Sequence, residues 1–393
     1  NNEAHGNSSL SQKALIALQS SQFKEAENLA KRVLKRRRNH SLANLIVAIT
    51  VYKRTMHAFS SDVRSVLFGT IFGGDMNLRY ARWSLEQTDT GLAKADKYLE
   101  RASKDPKVSL ILNLSGWQVD WNRNGRIDRG DKRLFQIEYD SEGKRLPDDD
   151  PRRSPTFRFD RGDVYWARAM LAFQRSFMNI LLAYDYQEIP IGKLLNGIDR
   201  GKLKNKSFIL RLKDKKRMRQ AKKLILQGLA YADRCRSEYL KEKDDDREWL
   251  PNPVQKDHPL PLPVDRQLYK TWQAVVGDLK RLVQGKEGLS VSSVAQLGDH
   301  QWENPPGGYI NIGGFLNNPG DIVLNFSHMR QFNESKSRKD AEQVLRDLFG
   351  KNYSQRQRMK PSPILSRFLR MKNEIQRGEE SFERKLRYLI WLN

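Results

Sequence analysis

Apolar positions recur at helical spacing over several parts of the chain and lose that spacing over others. From Leu10 to Met56 the period is helical. Ala14, Leu15 and Leu18 form one stripe, and Phe23, Ala26, Ala30 and Val33 form another at i, i+3, i+7 and i+10. Ser20-Ser21-Gln22 between them predicts a short turn. Leu92, Ala95, Leu99 and Ala102 repeat the pattern, and Asp105-Pro106 ends it. Phe68 to Gly74 holds three glycines in seven residues and predicts a helix break. Thr156-Phe157-Arg158-Phe159 reads as a short strand. Val164 to Tyr184 is apolar nearly all round, which predicts a helix at the centre of the fold, with Asp163 as its N-cap.

The second half is more mixed. Residues 200–223 are intensely basic, with Asp214 the only acid. A helix resumes at Met218, with Met218, Ala221, Ile225, Leu229 and Ala232 on one face. Lys241 to Pro263 joins Asp244-Asp245-Asp246 to prolines at 251, 253, 259, 261 and 263, and reads as a linker. A helix follows from Asp265 to Gln284. Tyr309 to Ile312 and Asp321 to Phe326 flank Asn317-Asn318-Pro319-Gly320, which predicts strand, turn and strand within a β insertion over residues 289–326. Ser335 to Asn393 is helical again, and its apolar end, Leu389-Ile390-Trp391-Leu392, predicts that this segment packs down. The expected organisation is a flexible lead (1–9), a helical region (10–115), a loop with a central and a basic helix (116–240), a linker (241–263) and a helical C-terminal region (264–393). The fold class is mainly α.

Composition narrows the class of protein. Of 393 residues, 38% are hydrophobic and 30% charged, a polar balance for a globular chain. Yet 8 Trp, 16 Phe and 13 Tyr supply the aromatic area of a core, which argues against global disorder. The formal net charge of +24 favours polyanionic partners such as nucleic acid or an anionic envelope surface. The single cysteine, Cys235, excludes an internal disulfide and a cysteine metal site, and its charged helical setting predicts an inert thiol. No apolar run is long enough to span a bilayer: Val164 to Tyr184 is broken by Arg168, Gln174, Arg175 and Asn179. The polar opening, Asn1 to Ser9, reads as the tether of an exported, lipid-anchored protein.

The sharpest chemical signal is Asp120-Trp121-Asn122-Arg123-Asn124-Gly125-Arg126-Ile127-Asp128-Arg129-Gly130-Asp131. Calcium takes six to eight hard oxygens, and a twelve-residue loop supplies them from positions 1, 3, 5, 7, 9 and 12. Those positions are Asp120, Asn122, Asn124, the carbonyl of Arg126, Asp128 and Asp131. Gly125 occupies position 6, where the chain turns sharply, and Ile127 the apolar position 8. The loop resembles an EF-hand loop, and with Asp at position 12 it is most similar to those of dockerin modules. Dockerins carry two such loops and this chain one, so the resemblance implies a Ca2+ site but no cohesin-type partner. Three acidic ligands among Arg123, Arg126 and Arg129 predict weak binding, suited to a structural staple at millimolar calcium.

A second resemblance rests on Ala14, Phe23-x-x-Ala26 and Leu92-x-x-Ala95-x-x-x-Leu99-x-x-Ala102 with Pro106, which look like tetratricopeptide helices. It implies helical hairpins with a concave surface for a protein or peptide partner, and it departs from that family at Lys13 and Arg38. Other candidates are weaker. Zinc-protease, nucleophile-elbow, Walker A and dinucleotide motifs are absent from the sequence. Asp160-Arg161-Gly162-Asp163 echoes Asp128 to Asp131, and Asp185 with Glu188 forms a second carboxylate pair. Either would be needed by a carboxylate-dependent hydrolase. A nucleic-acid-binding reading needs the basic runs 31–38 and 200–223 to form one stripe. His300 to Tyr309 has the aromatic and polar mix of a sugar- or peptide-binding loop. The expected function is a calcium-binding, non-enzymatic helical scaffold outside the cytoplasm, periplasmic or envelope-associated, with a protein or anionic partner.

Overall fold

The computed structural model describes residues 2–71, 76–121, 125–140, 142–196, 205–262, 264–295, 304–356, 359–376 and 382–389. Among them are 15 α-helices and nine strands, none longer than six residues, so the fold is mainly helical with small sheets. Its frame is a row of helices: α1 (Asn2–Gln19), α2 (Phe23–Arg36), α3 (Ser41–Ile71) and α4 (Leu78–Ala102), then, beyond the short α5 (Arg129–Arg133), α6 (Arg161–Ala183). Beyond α7 (Ile191–Asn196), the row continues with α8 (Lys215–Tyr239) and α9 (Arg266–Val283). Each long helix packs on the next: α1 on α2, α2 on α3, α3 on α4, α4 on α6, α6 on α8 and α8 on α9.

The N-terminal helices follow the apolar stripes. Ala14, Leu18, Ala26, Ala30 and Val33 are all fully buried. The turn between α1 and α2 falls at Ser20 to Gln22, with Ser21 in the left-handed region at φ 63°. Helix α1 starts at Asn2, inside the expected flexible lead; once Ala14 and Leu18 anchor a helix, extending it backward adds one hydrogen bond per residue. Leu92, Ala95, Leu99 and Ala102 form the buried face of α4. The glycine-rich break lies where α3 ends and α4 has yet to begin, and residues 72–75 lie outside the described residues.

Helix α6 runs through the middle of the row, and the four polar residues that interrupt its apolar run serve its neighbours. Arg168 binds Asp96 of α4 (2.8 Å) and the Tyr231 hydroxyl of α8 (2.7 Å). Gln174 donates to the Tyr52 hydroxyl of α3 (3.2 Å), Arg175 binds Asp89 of α4 (2.8 Å), and Asn179 accepts from Arg217 of α8 (3.0 Å). Hydrogen bonds to charged groups contribute more than neutral ones, and an unpaired buried charge is costly. These residues therefore fix α6 in rotation against three helices. The helix begins one turn earlier than expected. Asp160 is the N-cap, accepting from the N–H groups of Gly162 (2.7 Å) and Asp163 (3.4 Å), while Asp163 sits inside the first turn. Asp214, the only acid of the basic stretch, caps α8 through Lys216 N–H (2.8 Å) and Arg217 N–H (3.3 Å).

Two small sheets close the sides of the row. Strand β1 (Leu110–Leu112) pairs antiparallel with β2 (Phe157–Phe159), the strand expected from Thr156 to Phe159. Strands β3 (Tyr184–Asp185) and β4 (Ser207–Leu212) pair with a distant third, β7 (Ile322–Asn325). The stretch 241–262, read as a linker, lies on the core: Trp249 and Leu260 are fully buried, and Asn252 donates to Tyr239 O (2.9 Å).

The expected hairpin over residues 309–326 does not form. Strand β6 (Tyr309–Ile310) pairs instead with β5 (Glu287–Ser290), which follows α9, and with β8 (Tyr353–Ser354). Between β6 and β7 the Asn311 side chain accepts from Gly314 N–H (2.7 Å) and starts a helical turn where a strand was expected. A last strand, β9 (Lys360–Pro361), joins β5 in parallel. The C-terminal region is helical as expected. It brings Tyr388 against Trp249, whose indole Nε1–H donates to Tyr388 O (3.1 Å). Residues 390–393 lie outside the described residues.

Candidate functional site

The loop that follows β1 carries the calcium motif. The Asp120 carboxylate accepts from Gly125 N–H (2.8 Å), and Gly125 has φ +85°, a conformation that favours glycine. Position 1 is therefore drawn over position 6 by the backbone itself. At the far end Asp128 caps α5, accepting from Gly130 N–H (2.7 Å) and Asp131 N–H (3.4 Å). Asp131 reciprocates by accepting from Asp128 N–H (3.0 Å), the arrangement called a capping box. Its other oxygen accepts from Trp121 N–H (2.7 Å), so position 12 is tied to the start of the loop. A carboxylate has about four acceptor sites, so two backbone donors do not exhaust it. Asn122, Arg123 and Asn124, which include two expected ligands, lie outside the described residues. Arg126 is exposed, and Arg129 is paired with Asp148. Ile127, expected to anchor the loop in the core, is 44% exposed.

The echo of this motif, Asp160 to Asp163, forms the same capping box at the start of α6 in a different environment. Asp163 is buried and accepts from Asp160 N–H (2.7 Å) and the Tyr239 hydroxyl (2.6 Å). Burial, then the charge of Asp160, push its carboxyl well above the usual range. The Asp160 carboxylate meets those of Glu242 and Glu248 with oxygens within 4.8 Å of one another, a spacing that can hold a cation. Burial and Asp160 push Glu242 up to about 11, so near neutrality it carries a proton that it shares in a hydrogen bond with Asp160. Glu248, also raised by burial, binds Arg158 (3.1 Å). A proton and an arginine thus already offset much of the knot's charge. Cys235 beside it is fully buried, and burial holds its thiol protonated, as expected of an inert cysteine.

Between the loop and the knot lies a chamber of about 340 Å³. Its walls are mainly apolar and include Leu45 and Ile49 of α3, Leu112 of β1, Val164 and Leu171 of α6, and Trp121 of the loop. Asp163 of the second Asp-Arg-Gly-Asp corner forms part of the wall, as do Leu134 and Phe135, which follow the first. No family model, curated protein or solved structure matches this chain. The site is therefore read from its own chemistry.

The other candidates separate. Asp185 binds Lys213 (2.8 Å), which draws its carboxyl below the usual range, and Glu188 binds Arg211 (2.7 Å); each faces its own cation. The basic helices α2 and α8 are separated in the row by α3, α4 and α6, and residues 200–204 of the second positive run lie outside the described residues. Of His300 to Tyr309, residues 300–303 lie outside the described residues, and Tyr309 belongs to β6. Among the described residues no helix is long and apolar enough to cross a membrane. Sequence reasoning missed Glu242 and Glu248, which an apparent linker carries, and it missed the chamber. The one signal for the chamber was the pair Trp117 and Trp121, two large aromatics on either side of Asp120, the first residue of the calcium motif.

Proposed function

We propose that this protein is a calcium-binding, non-enzymatic helical scaffold, exported to the periplasm or cell envelope, whose calcium loop staples the connection between β1 and β2. The observation that carries this reading is the closure of Asp120 on Gly125 N–H, with Gly125 at φ +85° and Asp128 and Asp131 boxed at the loop's far end. This closure of positions 1, 6, 9 and 12 supports the reading of a twelve-residue loop around an ion. The α1–α2 hairpin and the buried face of α4 support the tetratricopeptide-like part of the reading, with a peptide or anionic partner on the helical row. The test is calorimetric titration of calcium into chelator-treated protein. We expect one weak site per chain, a higher melting temperature in millimolar calcium, and loss of both in Asp120→Ala. At tenfold saturation the gain is about 1.4 kcal/mol. Absence of binding at millimolar calcium overturns the reading.

A further inference from the structure

We infer that the chamber between α3, α6 and the loop is a binding site for a single-chain fatty acid, its hydrocarbon tail among the aliphatic walls and its carboxylate at the cationic wall. The inference goes beyond the calcium reading and does not depend on it. Size is the first reason. About 340 Å³ lies near the low end of the roughly 300–1,000 Å³ typical of ligand pockets, room for one alkyl chain and not for a two-chain lipid.

The polar groups in the wall are the second. Trp117, 7% exposed, has its indole Nε1–H buried without a hydrogen-bond partner. Arg387 has its Nε–H in the same condition, while its Nη2 donates to Gln136 O (3.3 Å) and lies 3.9 Å from the Glu138 carboxylate. Lys53 places its ammonium 4.2 Å from the Phe23 ring centre and 5.6 Å from that of Trp121. Asp163, the one carboxyl among the described residues of the wall, already accepts from Tyr239 and Asp160. Among the described lining residues the buried side-chain groups left without a partner are both donors, Trp117 Nε1–H and Arg387 Nε–H, and the Lys53 ammonium stands in the same wall. A buried donor without an acceptor costs about 1–3 kcal/mol. A ligand that brings an anionic acceptor on an apolar body relieves that cost and buries hydrocarbon at once.

The test compares dodecanoate, dodecanol and dodecylammonium by calorimetry, each below its own micelle concentration, with and without chelator. We expect one dodecanoate per chain in either condition, dodecanol binding about tenfold more weakly, and no dodecylammonium binding. Lys53→Met should weaken dodecanoate about tenfold and leave dodecanol unchanged, the size of one charged hydrogen bond. Ala48→Phe, which fills the chamber, should abolish binding of both; if that variant does not fold, Ala167→Leu must weaken both. No dodecanoate binding, equal binding of all three amphiphiles, or binding unaffected by filling the chamber would overturn the inference. The calcium titration and its Asp120→Ala control stand apart, so either result can fail alone.

Discussion

The tetrapeptide Asp-Arg-Gly-Asp occurs at 128–131 and again at 160–163, and both copies fold into the same capping box. What surrounds them differs. The first copy starts a helix of five residues, and its Arg129 and Gly130 are exposed. The second starts a helix of 23 residues, with Gly162 and Asp163 buried. A Cβ on Gly162 would lie 2.5 Å from the Tyr239 ring, so here the glycine serves helix packing. Four residues are enough to specify a cap. The carboxylates themselves are alike, Asp131 and Asp163 each being 4% exposed; the surroundings differ at the middle of the motif, where Gly130 is exposed and Gly162 is buried.

The largest expected effect tests the packing side of this contrast. Gly162→Val forces a branched side chain into Tyr239 and should destabilise the protein by about 3 kcal/mol, the upper end for overpacking. Gly130→Val should cost less, and equal losses in urea melts would erase the distinction. Next is pH. Glu242 has an ordinary value of 4.5 and is pushed up to about 11 in the fold by burial and Asp160. The native state then binds the extra proton, so its contribution is fully present below about pH 4.5 and is lost as pH rises toward 11. We expect the melting temperature to fall across that window and Glu242→Gln to flatten the fall, raising stability at pH 8. A flat wild-type profile would sink this account of the knot. The smallest effect is the caps themselves. Asp160→Ala should cost about 2 kcal/mol and Asp128→Ala about 0.5–1 kcal/mol. If Asp128→Ala costs as much, the exposed box also holds global structure.

Local features were legible in the sequence to the extent that one element carries its own signal. The stripe Phe23, Ala26, Ala30 and Val33, the turn at Ser20 to Gln22, the strand at Phe157 to Phe159 and the central position of α6 all rest on residues within one element. Partners distant in the chain were not legible. Strand β7 pairs with β4, more than a hundred residues earlier, and nothing in the Asn-Asn-Pro-Gly stretch argues against a local hairpin. Asp160 meets Glu242 and Glu248 only because α8 runs back along α6 and delivers the acidic stretch to its start. Proline and aspartate marked that stretch as a linker. The fully buried Trp249 within it was the contrary sign.

The late arrival of one chamber wall bears on how the chain folds as it is synthesised. Arg387 lines the chamber and donates to Gln136 O, while Tyr388 receives the indole hydrogen bond of Trp249. The walls from α3, β1 and α6 leave the ribosome long before these residues do. For that interval Leu45, Leu112, Val164 and their neighbours present an incompletely walled apolar hollow, the kind of surface that invites aggregation or chaperone capture during slow synthesis. A formal net charge of +24 opposes close approach of two copies across such a hollow.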